Sequence, residues 1–217
     1  RTELLTQLDE KVFRWFPREK IPFETRVLRN SGGWAPRYAD YKEVSFQTEE
    51  GVRIRAQLLA PKRGPAGAPL LLYVKRPGDS IYFMDFDDLL PVLGRCTVLI
   101  LNPRFTELPP GPAEYAALEM TSAWTGRTVA AMQVWDILRS VEWASSEEKL
   151  ESSSVSIYGR SQMGVLALYA GLRDPRIEQV ILNEPPSSHW QGPALLNVLR
   201  VTDVAEAAAP ELFDDLV

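Results

Sequence analysis

The sequence predicts an α/β fold: a three-layer sandwich with a mixed, mostly parallel central sheet, an N-terminal antiparallel hairpin, and helices on both faces. Three observations carry this. Leu70–Val74, Val98–Leu101, Val155–Tyr158 and Val180–Leu182 are continuous apolar runs, the texture of strands buried on both faces. Helical periodicities lie between them. Two alternating apolar and polar segments precede them, so the order is β, β, then repeated β and α.

Taken in order, residues 1–37 form an irregular lead. It has a short amphipathic stretch (Leu4, Leu5, Leu8, Val12, Phe13), then prolines and the turn-like Ser31-Gly32-Gly33, and should wrap the domain. Residues 41–46 and 52–58 alternate and are joined through Glu49-Glu50-Gly51, which predicts a half-exposed hairpin. A loop rich in Gly, Pro and Ala spans 61–69 before the first buried strand. A helix is predicted over 126–144, where Ala130, Val134, Ile137, Leu138 and Val141 share one face, with Thr125 as its N-cap. A second follows Ser161, with Val165, Leu168, Tyr169 and Leu172 at helical spacing, and Asp174-Pro175 closes it.

The 217 residues are expected to form one domain, with 1–37 as lead and 38–217 as sheet and helices. A chain of this size buries roughly 70% of its unfolded surface, so a sizeable core is available. With 24 Lys plus Arg against 29 Asp plus Glu, and no long run of one sign, nucleic acid is not an expected partner. No apolar stretch is long enough to span a membrane. The chain opens at Arg1 with no charged-then-apolar leader, as expected of a processed or excised piece, which leaves the compartment open. Cys96, the single cysteine, lies in an apolar run and reads as a small buried hydrophobe, so no disulfide or cysteine metal site is expected. Phosphate-loop, zinc and dinucleotide motifs are absent, and no cofactor or metal is expected.

In such sheets the chemistry gathers at the carboxyl ends of the parallel strands. The strand ending at Tyr158 runs into Gly159-Arg160-Ser161-Gln162-Met163-Gly164 and directly into a helix. Strand, Gly-x-Ser turn and helix together resemble the nucleophile elbow of the alpha/beta-hydrolases. A sharp turn lifts the serine oxygen clear of the backbone, and the positive helix end favours charge developing beside it. Gly159 fits that pattern; Met163 stands where a second glycine is usual, with Gly164 one place later relieving the crowding. The resemblance covers about residues 40–203, and Trp190–Arg200 is similar to the segment after the sixth strand in acetyl-xylan-esterase-like and prolyl-oligopeptidase-like members.

What the resemblance implies is serine-dependent hydrolysis of carboxylic esters, of carbohydrate or small acyl type, through an acyl-enzyme on Ser161. The implied oxyanion donors are the amide of Gln162 and one from Lys75-Arg76-Pro77-Gly78-Asp79, assigned to Arg76. The resemblance also implies a later acid and histidine, but only 32 residues follow Pro185 and they read as loop and helix. His189, the single histidine, and Glu184, at the end of the preceding strand, are the candidates within the chain for base and acid. Two explanations stay open: the remaining triad members lie outside this stretch, or the chain is a non-catalytic hydrolase-like module that packs against another domain or chain. Missing strands would leave an open sheet edge for a further segment or partner to cover. The resemblance alone suggests a secreted or periplasmic setting.

Lys75, Arg76, Arg104 and Arg160 all fall at predicted strand carboxyl ends, where cations would attract an ester bearing a carboxylate, such as a uronate-containing sugar. The competing reading is neutralisation by Asp79, Asp85, Asp87, Asp88 and Glu107 in the same loops. Trp190 and Trp124 are candidates for substrate stacking; Trp135 and Trp143 read as packing residues on the long helix.

Overall fold

A computed structural model describes residues 1–30, 39–62, 67–79, 92–93, 95–107, 111–146, 150, 154–209 and 215–216. Strands are β1 Arg26–Arg29, β2 Ala39–Glu49, β3 Val52–Pro61, β4 Leu70–Val74, β5 Thr97–Asn102, β6 Val155–Arg160, β7 Ile177–Asn183 and β8 Asp215–Leu216. Helices are α1 Thr2–Lys11, α2 Pro112–Trp124, α3 Val129–Ser146, α4 Gln162–Arg173 and α5 Val204–Ala207. The strands form one sheet in the order β1-β2-β3-β5-β4-β6-β7-β8. β1, β2, β3 and β5 pair antiparallel, and β5, β4, β6, β7 and β8 run parallel. The predicted hairpin and all four apolar runs are present as strands.

Every residue of β4 and β5 is buried, which is why their sequences do not alternate. On one face of the sheet, α1, α3, α4 and α5 pack onto a core that includes Leu72, Leu99, Ile157, Val134 and Leu168. Phe46 of β2 stacks on Trp143 of α3 at 4.8 Å between centroids. The other face carries a second cluster, with Tyr73 of β4 stacked on Tyr158 of β6 at 5.1 Å. Leu93 joins that cluster; most of the link between β4 and β5 lies outside the described residues, as do Asp85, Asp87, Asp88 and the Ser31-Gly32-Gly33 turn.

The lead is more ordered than expected. It forms α1, adds β1 to the sheet edge, and inserts Leu8, Val12, Phe13 and Phe23 into the main core. The start of the long helix also differs. Thr128, whose hydroxyl accepts from the Ala131 amide at 3.2 Å, caps α3, while Thr125 follows the last turn of α2. An N-cap side chain must reach the N–H groups two or three residues on, and Thr125 lies one turn too early.

The chain leaves β4 for β5 on one side and returns past β4 to β6 on the other. The carboxyl-end loops diverge at that point and leave a crevice, which places Ser161 after β6 and Lys75-Arg76 after β4 around it.

Candidate active site

Ser161 has φ 54° and ψ −128°, a conformation that L-residues rarely adopt, at the junction of β6 and α4. Its amide donates to the Asn183 carbonyl at 2.8 Å, continuing the β6–β7 ladder, and its own carbonyl accepts from Gly164 at 3.0 Å, opening the helix. The backbone therefore reverses within one residue. The Ser161 hydroxyl is half-buried and makes no hydrogen bond among the described residues.

Glycine is required beside it on both sides of the turn. A Cβ on Gly159 would lie 2.4 Å from the Met163 carbonyl oxygen, and one on Gly164 would lie 2.9 Å from the Gly159 carbonyl oxygen. The close approach is between residue 159 and the pair 163–164, so a glycine at 164 meets the need. Met163 turns its buried side chain into the core instead.

Gln162 is the first residue of α4, where a backbone N–H has no intrahelical acceptor and the helix dipole is positive. That amide can stabilise negative charge next to Ser161. The other expected donor is committed elsewhere. β4 and β6 pair Val74 with Gly159, so two residues on Arg76 stands level with Ser161, but its amide donates to Asp79 Oδ2 at 2.9 Å. The Arg76 guanidinium holds Asp79 Oδ1 through Nε at 3.0 Å and Nη2 at 2.9 Å. Asp79 in turn donates its amide to the Arg76 carbonyl at 3.2 Å, and Gly78 at φ 83° completes the tight turn.

His189 makes no hydrogen bond to Ser161 among the described residues. Its Nδ1 lies 3.2 Å from the Pro193 carbonyl and its Nε2 2.8 Å from the Tyr169 hydroxyl. A carbonyl only accepts, so Nδ1 carries the proton, and neutral Nε2 accepts from Tyr169. A nitrogen already accepting one proton cannot take another from serine. Burial lowers the His189 pKa, against the opposing pull of Pro193 and Asp203. Asp203 fixes this loop by accepting from Ser188 Oγ at 2.6 Å and from the His189 amide at 2.8 Å.

Glu184 follows β7 with an exposed side chain whose partner is Arg160 Nη2 at 3.4 Å, not a histidine. It does not serve as the orienting acid of His189. Arg160 is thereby partly neutralised. Arg104 is a structural cation rather than a substrate ligand: Asp136, fully buried, accepts from its Nη2 at 2.6 Å, its Nε at 2.9 Å and its amide at 3.0 Å. Glu49 joins it at 2.9 Å and also binds Arg127, and Thr48 donates to Asp136 at 2.7 Å. Burial works against the charge on Arg104, and the hydrogen bonds and charges of Asp136 and Glu49 together more than restore it. Nothing in the sequence pattern pointed to Asp136, which sits on the long helix, 32 residues from Arg104.

Lys75 is 2% exposed, and burial lowers its pKa while Asp79 and Glu107 oppose the shift. Its amide donates to the Leu101 carbonyl at 3.0 Å, while its ammonium makes no hydrogen bond or ion pair among the described residues. Glu107 pairs with Arg55 at 3.1 Å. Trp190 and Trp124 are 85% and 76% exposed. No cluster of metal-ligating side chains occurs among the described residues.

No family model matches the chain, and no curated protein matches it. Solved structures match it in fold. The chain is similar to acetyl xylan esterase from Paenibacillus sp. R4 at TM-score 0.60 and 20% identity, over 87% of this chain and 59% of that one. It is similar to acetyl xylan esterase 1 from Thermoanaerobacterium sp. JW/SL YS485 at TM-score 0.62 and 16% identity, over 87% and 59%. For glucuronoyl esterase from Solibacter usitatus the values are 0.61 and 14%, over 83% and 56%. The chain thus spans less than three-fifths of the length of these structures, and its fold is that of the alpha/beta-hydrolases.

Proposed function

We propose that the chain carries the nucleophile of a serine carboxylic-ester hydrolase acting on a carbohydrate or small acyl ester. The observation that carries this reading is Ser161 at positive φ on a strand-to-helix turn, its hydroxyl unbonded and beside the free end of α4. Strain of this kind, about 1–3 kcal/mol, persists only where surrounding structure enforces it. Fold likeness to acetyl xylan and glucuronoyl esterases supports ester hydrolysis as the reaction.

In the reaction, Ser161 Oγ attacks the ester carbonyl carbon while a base takes the hydroxyl proton. The carbonyl oxygen becomes an oxyanion held by the Gln162 amide. Collapse expels the alcohol, which receives the proton from the base, and leaves an acyl group on Ser161. Water then attacks the acyl-enzyme by the same route and releases the acid. Because His189 is held by Tyr169 and Pro193, this reading requires a base other than His189 in its present place.

A second reading, a hydrolase-like module without catalysis, is favoured by the Arg76 amide being committed to Asp79. Assay of the full-length protein on acetylated xylo-oligosaccharides separates the two. Turnover abolished by Ser161→Ala supports the hydrolase; turnover absent, or unchanged in that variant, supports the module.

A further inference from the structure

Beyond the elbow, a concavity of about 500 Å³ lies over β1, β2, β3 and the loop that follows β5. Its floor is one cross-strand row. Arg26 pairs with Ser45, Ser45 with Arg55, and Arg55 with Asn102, on four neighbouring strands. Directly opposed residues share a face, and Arg53, two before Arg55, adds a third cation to it. Phe105 forms part of the wall.

Three groups in this row lack partners. The Arg26 guanidinium has no carboxylate or other acceptor among the described residues. Ser45 is 6% exposed and its hydroxyl makes no hydrogen bond among them. Asn102 is 4% exposed, and its Oδ1 is buried and unpartnered. Buried polar groups are nearly always satisfied, so groups left open around one cleft point to a ligand. The acids nearby leave positive charge over. Glu107 answers Arg55, Glu24 lies 3.9 Å from Arg53, and Asp136 with Glu49 is occupied by Arg104 and Arg127. Nothing among the described residues answers Arg26.

The row stands at the carboxyl end of β5, the same end of the sheet as Ser161. One residue past the paired Leu101, Val74 and Gly159 come Asn102, Lys75 and Arg160, so the row runs on toward the elbow. With strands about 4.8 Å apart, β3 lies about 14 Å from β6 and β1 about 24 Å. A ligand that touches both places is an extended chain rather than a small ester.

We propose that this cleft binds a carboxylate on an acidic oligosaccharide, several sugars away from the ester presented to Ser161. The proposal deepens the hydrolase reading by naming a feature of its substrate. Arg26 and Arg55 take the carboxylate, Ser45 and Asn102 bond sugar hydroxyls, and Phe105 lies against the ring.

The test is calorimetric titration of the full-length protein with trigalacturonate, using neutral xylotriose and inorganic phosphate as comparison probes. Trigalacturonate is expected to bind more tightly than either, with affinity falling as salt rises. Arg26→Ala should weaken it about tenfold, in line with loss of a charged hydrogen bond. Arg26→Glu should abolish it while thermal stability stays at the wild-type value, because Arg26 has no partner to lose among the described residues. Equal binding of xylotriose, phosphate binding as tight as the saccharide, or no change in Arg26→Glu would overturn the proposal. The readout does not depend on catalysis. Ester turnover without trigalacturonate binding defeats the cleft and leaves the hydrolase standing, and binding without Ser161 turnover does the reverse.

Discussion

The Arg76 amide has one proton, and Asp79 holds it. That amide stands level with Ser161, so a carboxylate occupies a donor that an ester oxyanion would use. A single oxyanion donor is worth about a hundredfold or more in kcat. Asp79→Ala frees the amide, and the expected outcome is a rise in kcat on an acetyl ester of up to about a hundredfold with little change in KM. A fall in kcat would mean that Asp79 holds the turn in its working shape. At this scale the turn that carries Ser161 was legible and the surroundings of His189 and Glu184 were not. Ser161 sits in a local pattern of strand, glycine and helix, and Gly164 could be read as replacing the usual glycine because crowding at the turn is itself local. His189, as the single histidine, and Glu184, as the acid at the end of a strand, were linked to it only through what the resemblance implies. Their actual partners, Tyr169 and Arg160, come from other elements, and no spacing in the sequence encodes them.

Between elements, the buried cluster of Thr48, Glu49, Arg104, Asp136 and Arg127 ties the end of β2 and the loop after β5 to α3. Removing Asp136 leaves Arg104 with Glu49 alone and takes the acceptor from its Nε, its amide and the Thr48 hydroxyl. Asp136→Ala should therefore lower unfolding stability by about 3–5 kcal/mol, read from denaturant midpoints. An effect below 1 kcal/mol would mean that water replaces the carboxylate. Elements with an apolar stripe or a continuous apolar run were legible, among them α3, α4 and β4 to β7. Those without one were not. β1 is exposed at every position, and the only described buried residue of α2 is Ser122, so neither leaves a hydrophobic pattern to read. Arg104 was read as a ligand because its position at a strand end was visible and Asp136 was not.

For the whole molecule, His189 couples stability to pH. Its folded pKa is depressed below the ordinary 6.5 by burial, so the unfolded chain binds the extra proton first. Its contribution is fully present above that value and is lost as pH falls through the folded pKa. Tm should drop between pH 7.5 and 5, and His189→Gln should flatten that part of the profile; an unchanged slope would contradict the buried neutral imidazole. The carboxylates Glu49 and Asp203, held below their usual range by arginines and by loop hydrogen bonds, lose their contributions only at lower pH. The layered α/β sheet was legible because burial on both faces writes itself into composition. The sheet order, with β4 between β5 and β6, was not, since pairing is a long-range property. The central claim remains that a strained turn presents one reactive hydroxyl. Full-length protein is treated with a fluorophosphonate and the adduct is located by peptide mass spectrometry. The account predicts stoichiometric modification at Ser161, absent in Ser161→Ala; an unmodified Ser161, or label on a different residue, would contradict it.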